Sequence, residues 1–316
     1  MRQQRSTSFL PLSLFQQTES EAAGTALLVA AFSGREDKLR DILEREETNP
    51  NVSYSNGNTP LIIAVQENHT AIVHLLLQRP DILVNMRGLD GYTALIRAAA
   101  ERLVAREREN LVLHTIISRS DLVKLFLLRP DVDVNLSTYY GTTALTFAIR
   151  NGNVSAAREL IKHPKINVNY QSKHGENALF EAVSYKRLDL VNLLLSHPQC
   201  VVDLVDQHDR TPFLVSCQYG YDDIACTLIR AGCDPTVEDD CGRNGLYHAV
   251  KRKRERIIHA LLDRRQPHSL KSQCRTVIRS YTRSVIGPGA SVRNTINKIP
   301  RHELPAALVS FLTFQP

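Results

Sequence analysis

Residues 59–65 read TPLIIAV, and the same pattern returns 34 residues later as TALIRAA at residues 93–99. Five further copies share a Thr or Asn start, Leu or Phe at the third position and Ala or Ser at the sixth. They begin at Thr25, Thr143, Asn177, Thr211 and Asn244. Successive starts lie 33 or 34 residues apart, except for one interval of 50. A fixed period of this length predicts a stack of repeated structural units.

Each copy has the features of a helix start followed by a second helix. The Thr is a helix cap, and Pro60 and Pro212 follow where a missing N–H costs nothing. Small residues at the sixth position let helices of adjacent repeats approach closely; they are Ala30, Ala64, Ala98, Ala148 and Ala182. The second helices carry apolar pairs that predict a shared core. These are Leu75–Leu76, Leu125–Phe126, Leu160–Ile161, Leu193–Leu194, Leu228–Ile229 and Leu261–Leu262.

The connections RPDILVN, RPDVDVN and HPKINVN end three of the repeats, each with a Pro that stops the helix and an Asn that begins the next hairpin. With these connections the chain resembles the ankyrin repeat, a β-turn followed by two antiparallel helices. The resemblance covers about residues 23–263, in seven repeats. It implies an all-α solenoid with β-turn fingers, and we assign residues 23–266 to this array. Residues 1–22 are interpreted as a flexible lead-in.

The interval of 50 residues contains an insertion at about residues 101–120, within ERLVARERENLVLHTIISRS. It falls between the two helices of the third repeat and is too apolar for a bare loop. Two interpretations remain open. The insertion is either a decoration packed on the flank of the repeat or a contact surface for a partner.

Projecting fingers are well suited to binding a protein target. The side chains at the predicted finger tips are varied, and Tyr and Arg are common anchors of interfaces. The candidate target-binding residues are Arg87, Tyr92, Tyr139, Tyr140, Lys173, His174, His208, Arg210 and Arg243. Taken singly, each is also an ordinary soluble turn residue, and the identity of the target is not encoded here.

The composition is that of an ordinary globular protein, with 43% apolar and 23% charged residues. We found no P-loop, dinucleotide-binding, metalloprotease or nucleophile-elbow motif, so an enzyme is not expected. The six cysteines show no zinc-like spacing and predict free thiols; Cys233, Cys241 and His248 lie near each other in sequence but in ordinary turn and helix positions. No cofactor or metal is expected.

The net charge of +6 is placed unevenly. Residues 251–316 hold 14 Lys/Arg against 3 Asp/Glu, a balance of +11, which leaves −5 for the rest. The basic run Lys251–Arg256 is either the charged edge of a capping repeat or a nuclear localisation or nucleic-acid patch. Aromatic residues are not interleaved with it, which argues against nucleic-acid stacking.

Leu270, Cys274 and Ile278 recur every four residues, so on a helix they form one apolar stripe. A Gly–Pro–Gly break follows at residues 287–289, and two more short helical segments are predicted after it. The stripe is either buried within the tail or a face that docks on a partner. Three helices in so short a segment make a core too small to be very stable alone, which favours docking.

This tail resembles the SOCS box, and the whole chain resembles the ankyrin repeat and SOCS box family. The resemblance implies that residues 267–316 form a small three-helix SOCS box and that Leu270, Cys274 and Ile278 insert into a groove on elongin C. It also implies a cullin-5-binding motif at Ile299, Pro300, Leu304, Pro305, Leu308, Phe311 and Leu312. Arg301–Glu303 interrupt that motif, which puts the choice of cullin in doubt.

The sequence therefore predicts a substrate-recognition adaptor of an elongin B/C–cullin–RING ubiquitin ligase, itself without catalytic activity. The expected partners are elongin B/C, cullin-5 with its RING protein, and an unidentified protein substrate, with no nucleic acid and no membrane. The alternative is an ankyrin scaffold or regulator without a ligase role. We expect a cytoplasmic location, with a nuclear one left open by Lys251–Arg256.

Overall fold

A computed structural model of the chain describes residues 12–45, 48–100 and 119–263, with side chains described from residue 22 onward except at 119–120 and 262–263. These residues contain fourteen α-helices in seven pairs. The helices are α1 Leu12–Ser33, α2 Glu36–Leu43, α3 Pro60–Gln66, α4 Thr70–Gln78, α5 Ala94–Ala99, α6 Arg119–Leu127, α7 Ala144–Asn151, α8 Val154–Lys162, α9 Ala178–Ser184, α10 Leu188–Leu195, α11 Pro212–Tyr219, α12 Asp222–Ala231, α13 Gly245–Lys251 and α14 Glu255–Asp263. One 3-10 turn lies at Leu89–Gly91.

The chain divides into two compact units. The first, Met1–Ile166, holds α1–α8, and the second, Asn167–Pro316, holds α9–α14. Each pair of helices is one predicted repeat, so the repeat number inferred from the sequence matches the number of helix pairs.

Six of the seven predicted caps are present. The side chains of Thr59, Thr93, Thr143, Asn177, Thr211 and Asn244 each accept a hydrogen bond from the backbone N–H three residues on. Pro60 and Pro212 occupy the first helical turn, as predicted. These bonds satisfy N–H groups that have no partner within the helix.

The first repeat departs from the prediction. Thr25 caps no helix, because α1 begins at Leu12 and runs through it to Ser33. Of the segment interpreted as a flexible lead-in, residues 12–22 are helical as part of α1. The reason is that the segment before Gly24 is mostly helix-compatible, and Pro11 stands just before the start of the helix.

The predicted core is confirmed. Ala30, Ala64, Ala98, Ala148 and Ala182 are all buried. In each second-helix pair at least one large apolar side chain is buried; these are Leu76, Phe126, Leu160, Leu194, Leu228 with Ile229, and Leu261. Most of their neighbours in the pair are only half-buried, because a helix at the edge of a layer can turn only one stripe inward.

Asparagines at the ends of the repeats join neighbouring repeats. The Asn85 amide donates to the Asp131 carbonyl at 2.7 Å, and its oxygen accepts from the Asp133 N–H at 2.9 Å. In the second unit, Asn169 makes the same two bonds to Gln199 and Val201. One side chain thus satisfies a carbonyl and an N–H of the next turn, which explains the recurring Asn in the sequence.

Arginines before the prolines form a second connection in the first unit. Arg129 donates to the carbonyls of Leu77 and Arg79 at 3.0 and 2.9 Å, and holds both carboxylate oxygens of Asp131. This hydrogen bonding keeps the pKa of the Asp131 carboxyl below its ordinary value. Arg79 holds Asp81 in the same bidentate manner. A guanidinium can serve both groups because its donors form a rigid fork.

Across the described helices, none combines the length and apolar character needed to cross a membrane.

Candidate protein-binding surface

Each finger is a tight turn closed by a backbone hydrogen bond. In the third repeat the Gly88 N–H donates to the Tyr92 carbonyl at 2.8 Å. Gly91 has a φ of +79°, and a Cβ there would lie 2.9 Å from the backbone nitrogen of Tyr139, so the turn requires glycine for both shape and space. The β-turn fingers implied by the family resemblance are therefore present.

Neighbouring fingers are linked through their backbones. In the first unit the Tyr139 N–H donates to the Asp90 carbonyl at 3.0 Å. In the second unit, the Gln207 N–H donates to the His174 carbonyl at 2.8 Å, and the Asp240 N–H donates to the His208 carbonyl at 3.1 Å. Links of this kind hold the tips in a fixed row, so their side chains form a defined surface within each unit.

The first unit presents a partly aromatic row of tips. Tyr139 and Tyr140 are 57% and 63% exposed, and Arg87 is also exposed. Tyr54 and Leu89, which were not predicted from the sequence, are also exposed on neighbouring fingers. Large apolar and aromatic side chains held on the outside of a rigid turn are suited to contacting another protein.

Tyr92 lies deeper than the other candidates. Its ring is half-buried and carries the guanidinium carbon of Arg97 4.0 Å from its centroid. The ring of Phe147, in the fourth repeat, has its centroid 5.4 Å from that of Tyr92. The guanidinium carbon of Arg150 lies 5.6 Å from the Phe147 centroid. Arg97, Tyr92, Phe147 and Arg150 form what we call the cation–aromatic cluster of the first unit.

Arg97, Phe147 and Arg150 were not among the residues predicted from the sequence. A signal for Arg97 is present in the aligned repeats, because the fifth position is Val29, Ile63 and Phe147 in the other repeats of this unit. Arg97 is the one charged residue at this position within the first unit, although Glu181 and His248 occupy it in the second unit.

The second unit presents a polar row. Lys173, His174 and His208 are exposed, as predicted. His174 Nδ1 lies 3.0 Å from the Gln207 side-chain oxygen, and His208 Nδ1 lies 3.2 Å from an Asp240 carboxylate oxygen. Side chains of three successive fingers are thereby connected along the tips.

Arg210 and Arg243 have a different environment from the other candidates. Each guanidinium donates to a buried carboxylate four residues earlier, Asp206 for Arg210 and Asp239 for Arg243. The same carboxylates accept from backbone N–H groups inside the turn. These two arginines therefore brace their own fingers, and their role in target binding stays a prediction.

Asp239 also faces His248, whose Nε2 lies 3.7 Å from an Asp239 oxygen. Burial opposes ionisation of Asp239, but the hydrogen bonds from Arg243 and from the Cys241 N–H keep its pKa below the ordinary value. Burial, and next the charge of Arg243, lower the pKa of His248, although Asp239 opposes the shift. The imidazole, which lies on α13 beside the last finger, is therefore kept neutral at neutral pH. Asp239, Asp240 and Cys241 are close enough to share an ion, a grouping that is common without a metal.

The basic run Lys251–Arg256 lies where the repeat alignment places it. Lys251 ends α13 and Glu255 begins α14, so the run spans the turn between the helices of the last repeat. Arg252 and Lys253 are exposed, and Arg256 pairs with Asp223 at 2.9 Å. The interpretation as a charged edge and the interpretation as a nuclear signal both remain open.

Two parts of the prediction fall outside the described residues. The first part is residues 267–316, with the predicted elongin C stripe and the cullin-binding motif. The second is nearly all of the insertion at residues 101–120. The predicted roles of these segments are not tested by the structure.

The chain has weak similarity to curated relatives. It is 29% identical over 122 residues to Rabankyrin-5 from Homo sapiens and 28% identical to Rabankyrin-5 from Mus musculus. Each match includes 34% of this chain but 10% of the relative, so the chain spans about a tenth of these relatives' length.

Solved structures with the same fold cover most of the array. The ankyrin repeat domain of Bcl-3, a member of the IkappaB protein family, has a TM-score of 0.63 and 20% identity over 75% of this chain and 97% of that chain. An ankyrin repeat domain from Acinetobacter baumannii AYE has a TM-score of 0.57 and 24% identity over 66% and 98%. At these identities the likeness shows the fold.

Family profiles match directly in sequence. The profile for three copies of the ankyrin repeat matches residues 24–108 and 113–206, and the profile for one ankyrin repeat matches residues 208–240. An array of these repeats is a protein-binding module, in agreement with the exposed fingers described above. Since the matched residues make up more than half of the chain, the chain belongs to the ankyrin repeat family.

Proposed function

We propose that this protein is the substrate-recognition subunit of an elongin B/C–cullin–RING ubiquitin ligase. The ankyrin array holds the target, and the tail joins elongin C and a cullin. The protein performs no chemistry itself; it raises the effective concentration of target lysines near the charged ubiquitin-conjugating enzyme.

One observation supports this proposal above all, the sequence of the tail after an array with exposed fingers. Leu270, Cys274 and Ile278 have the residue types and spacing that the SOCS box resemblance associates with elongin C. On a helix they would supply one apolar face for a preformed groove. In this role Cys274 acts as a small hydrophobic anchor.

The cullin partner is proposed on weaker grounds than elongin C. Leu304, Pro305 and Leu308 match the end of the cullin-5 motif, but Arg301–Glu303 separate them from its start at Ile299–Pro300. The adaptor role stands with any cullin of this class, since the proposed elongin C contact does not depend on the cullin motif.

The test is co-purification of the full chain with elongin B/C. Leu270→Asn and Cys274→Asn should abolish the complex, because buried interface anchors are each worth about 2 kcal/mol or more. Gln273→Ala, on another face of the predicted helix, is the matched control and should retain elongin C. Circular dichroism melting should show an unchanged array in all variants.

Failure of the unmodified chain to capture elongin C, with the array folded, would contradict the ligase role. The array would then be an ankyrin scaffold or regulator that binds a protein without directing its ubiquitination. The exposed tips of both units favour this second candidate equally, so elongin capture is the measurement that separates the two.

A further inference from the structure

Arg97 places a charge where its neighbours place apolar groups. Its equivalents in the first unit are Val29, Ile63 and Phe147, and Ile63 is 5% exposed. Arg97 is half-buried at the same level of α5, and its Nε atom is inaccessible to solvent. Removing part of a guanidinium from water costs free energy unless an acceptor replaces the water.

Within the described part of the chain, no hydrogen-bond acceptor or carboxylate serves this guanidinium. Its contact is with the face of Tyr92, 4.0 Å from the ring centroid. Stacking on an aromatic ring orients a guanidinium and leaves its N–H donors, which lie in the guanidinium plane, without acceptors. A half-buried, oriented and unsatisfied donor group of this kind calls for an explanation.

The surroundings of Arg97 are aromatic. Tyr92 contacts Phe147, and a Cβ on Gly91 would lie 2.9 Å from Cδ1 of Tyr139, so the exposed Tyr139 ring lies beside the finger that carries Tyr92. Arg150 adds a second guanidinium over Phe147. The cation–aromatic cluster thus combines a positive centre with apolar walls.

We infer that the cation–aromatic cluster binds a carboxylate side chain, Asp or Glu, in a target segment whose adjacent residues are apolar. The carboxylate would accept two N–H bonds from the Arg97 guanidinium, the arrangement that this pair prefers. Apolar neighbours of the acid would pack on Phe147 and Tyr139. The inference rests on target binding by the array, and it names the chemistry that the array selects.

The charges in this region favour an acidic peptide over a nucleic acid. Phosphate backbones are bound by several cations spread along a groove. Here the cluster has two guanidiniums, and Asp90 on the same finger as Tyr92 is exposed and would repel a run of phosphates. A single carboxylate matches the one guanidinium that is stacked on Tyr92.

The test uses a displayed library of short random peptides, selected on the full chain. Enriched peptides are then synthesised with their acidic residue unchanged and with Glu→Gln or Asp→Asn. The unmodified chain should prefer the acidic form by roughly tenfold or more, as expected for loss of one partner of a desolvated charged pair. Arg97→Met should bind both forms equally and weakly, which identifies Arg97 as the partner of the acid.

Arg187→Met is the matched control, since Arg187 is an exposed arginine of the second unit whose side chain makes no capping bond. It should bind the acidic peptide as the unmodified chain does. Arg97→Met should also melt at or above the temperature of the unmodified chain, because Met restores the apolar column.

Three results would overturn the inference: enriched peptides without an acid, an Arg97→Met variant that keeps the acidic preference, or a clear drop in its melting temperature. The last would mean that Arg97 pairs within the chain. Elongin C capture, measured on the same preparations, separates this inference from the ligase proposal. An unmodified chain that binds elongin C but shows no preference for the acidic peptide contradicts this inference alone. An unmodified chain that prefers the acidic peptide but does not bind elongin C contradicts the ligase role alone.

Discussion

Single side chains in the last fingers decide which turns are rigid and how they respond to pH. Asp206 and Asp239 are buried carboxylates that each gather backbone and arginine donors. These buried carboxylates are tolerated because both oxygens of each accept hydrogen bonds from donors of the same turn. The two fingers that contain these carboxylates therefore keep one shape. The exposed His208 is held in its finger by a bond from its N–H to Asp206.

His248 leads to a prediction at this scale. Its pKa in the folded chain is lowered by burial from the ordinary value of 6.5. As the pH falls below that value, the unfolded chain takes up a proton that the folded chain refuses, so the free energy of unfolding decreases. His248→Leu should remove this part of the decrease, measured as urea midpoints between about pH 7.5 and 5.5.

His259, an exposed histidine of α14, provides the control for this prediction. His259→Leu should keep the pH dependence of the unmodified chain. Equal slopes for the unmodified chain and His248→Leu would show that burial of the imidazole does not govern acid stability in this range.

At the scale of elements, the helices begin at caps and are joined by side chains that reach the next repeat. The Thr and Asn caps satisfy the first turns of α3, α5, α7, α9, α11 and α13. Asn85 and Arg129 then connect neighbouring turns across a repeat boundary. Short helices that would be unstable alone are stabilised in this way by their neighbours.

The caps can be tested by comparing two threonines in equivalent sequence positions. Thr59→Ala should lower the free energy of unfolding by about 1 kcal/mol, because the Ile62 N–H loses its acceptor. Thr25→Ala should cost much less, since Thr25 is an exposed residue in the interior of α1. Urea denaturation followed by circular dichroism gives both values. Equal losses would contradict the assignment of α1 as one helix through Thr25.

For the whole molecule, the proposed function requires two separate activities in one chain. The array provides exposed tips and the cation–aromatic cluster, and the basic segment after Lys251 provides the predicted elongin C stripe. A change in one should leave the other intact, since the stripe follows the last repeat in sequence.

This separation has a consequence in cells. Proteins identified by proximity labelling with the unmodified chain should also be labelled by the Leu270→Asn, Cys274→Asn variant, but should have longer half-lives with it. The reason is that the variant holds the target without the ligase. A cycloheximide chase measures the half-lives, with Gln273→Ala as control. Unchanged half-lives would favour the scaffold.

The sequence by itself determined the repeat number, six of the caps, the buried alanines and the apolar pairs of the second helices. These follow from local chemistry repeated at a fixed period, such as Thr59 before Pro60 or Ala64 five residues later. The one local failure is the cap expected at Thr25, which lies inside a longer helix-compatible segment that forms α1.

Only the tertiary structure decided how the candidate side chains are used. The guanidinium of Arg210 donates to Asp206 within its own finger. Phe147 contacts Tyr92, which lies 55 residues earlier in the chain, beside the charge of Arg97, which was not predicted as a site residue. The physical reason is that a period specifies which repeats stack, whereas the contacts of a side chain with the next repeat depend on how closely the two backbones pack.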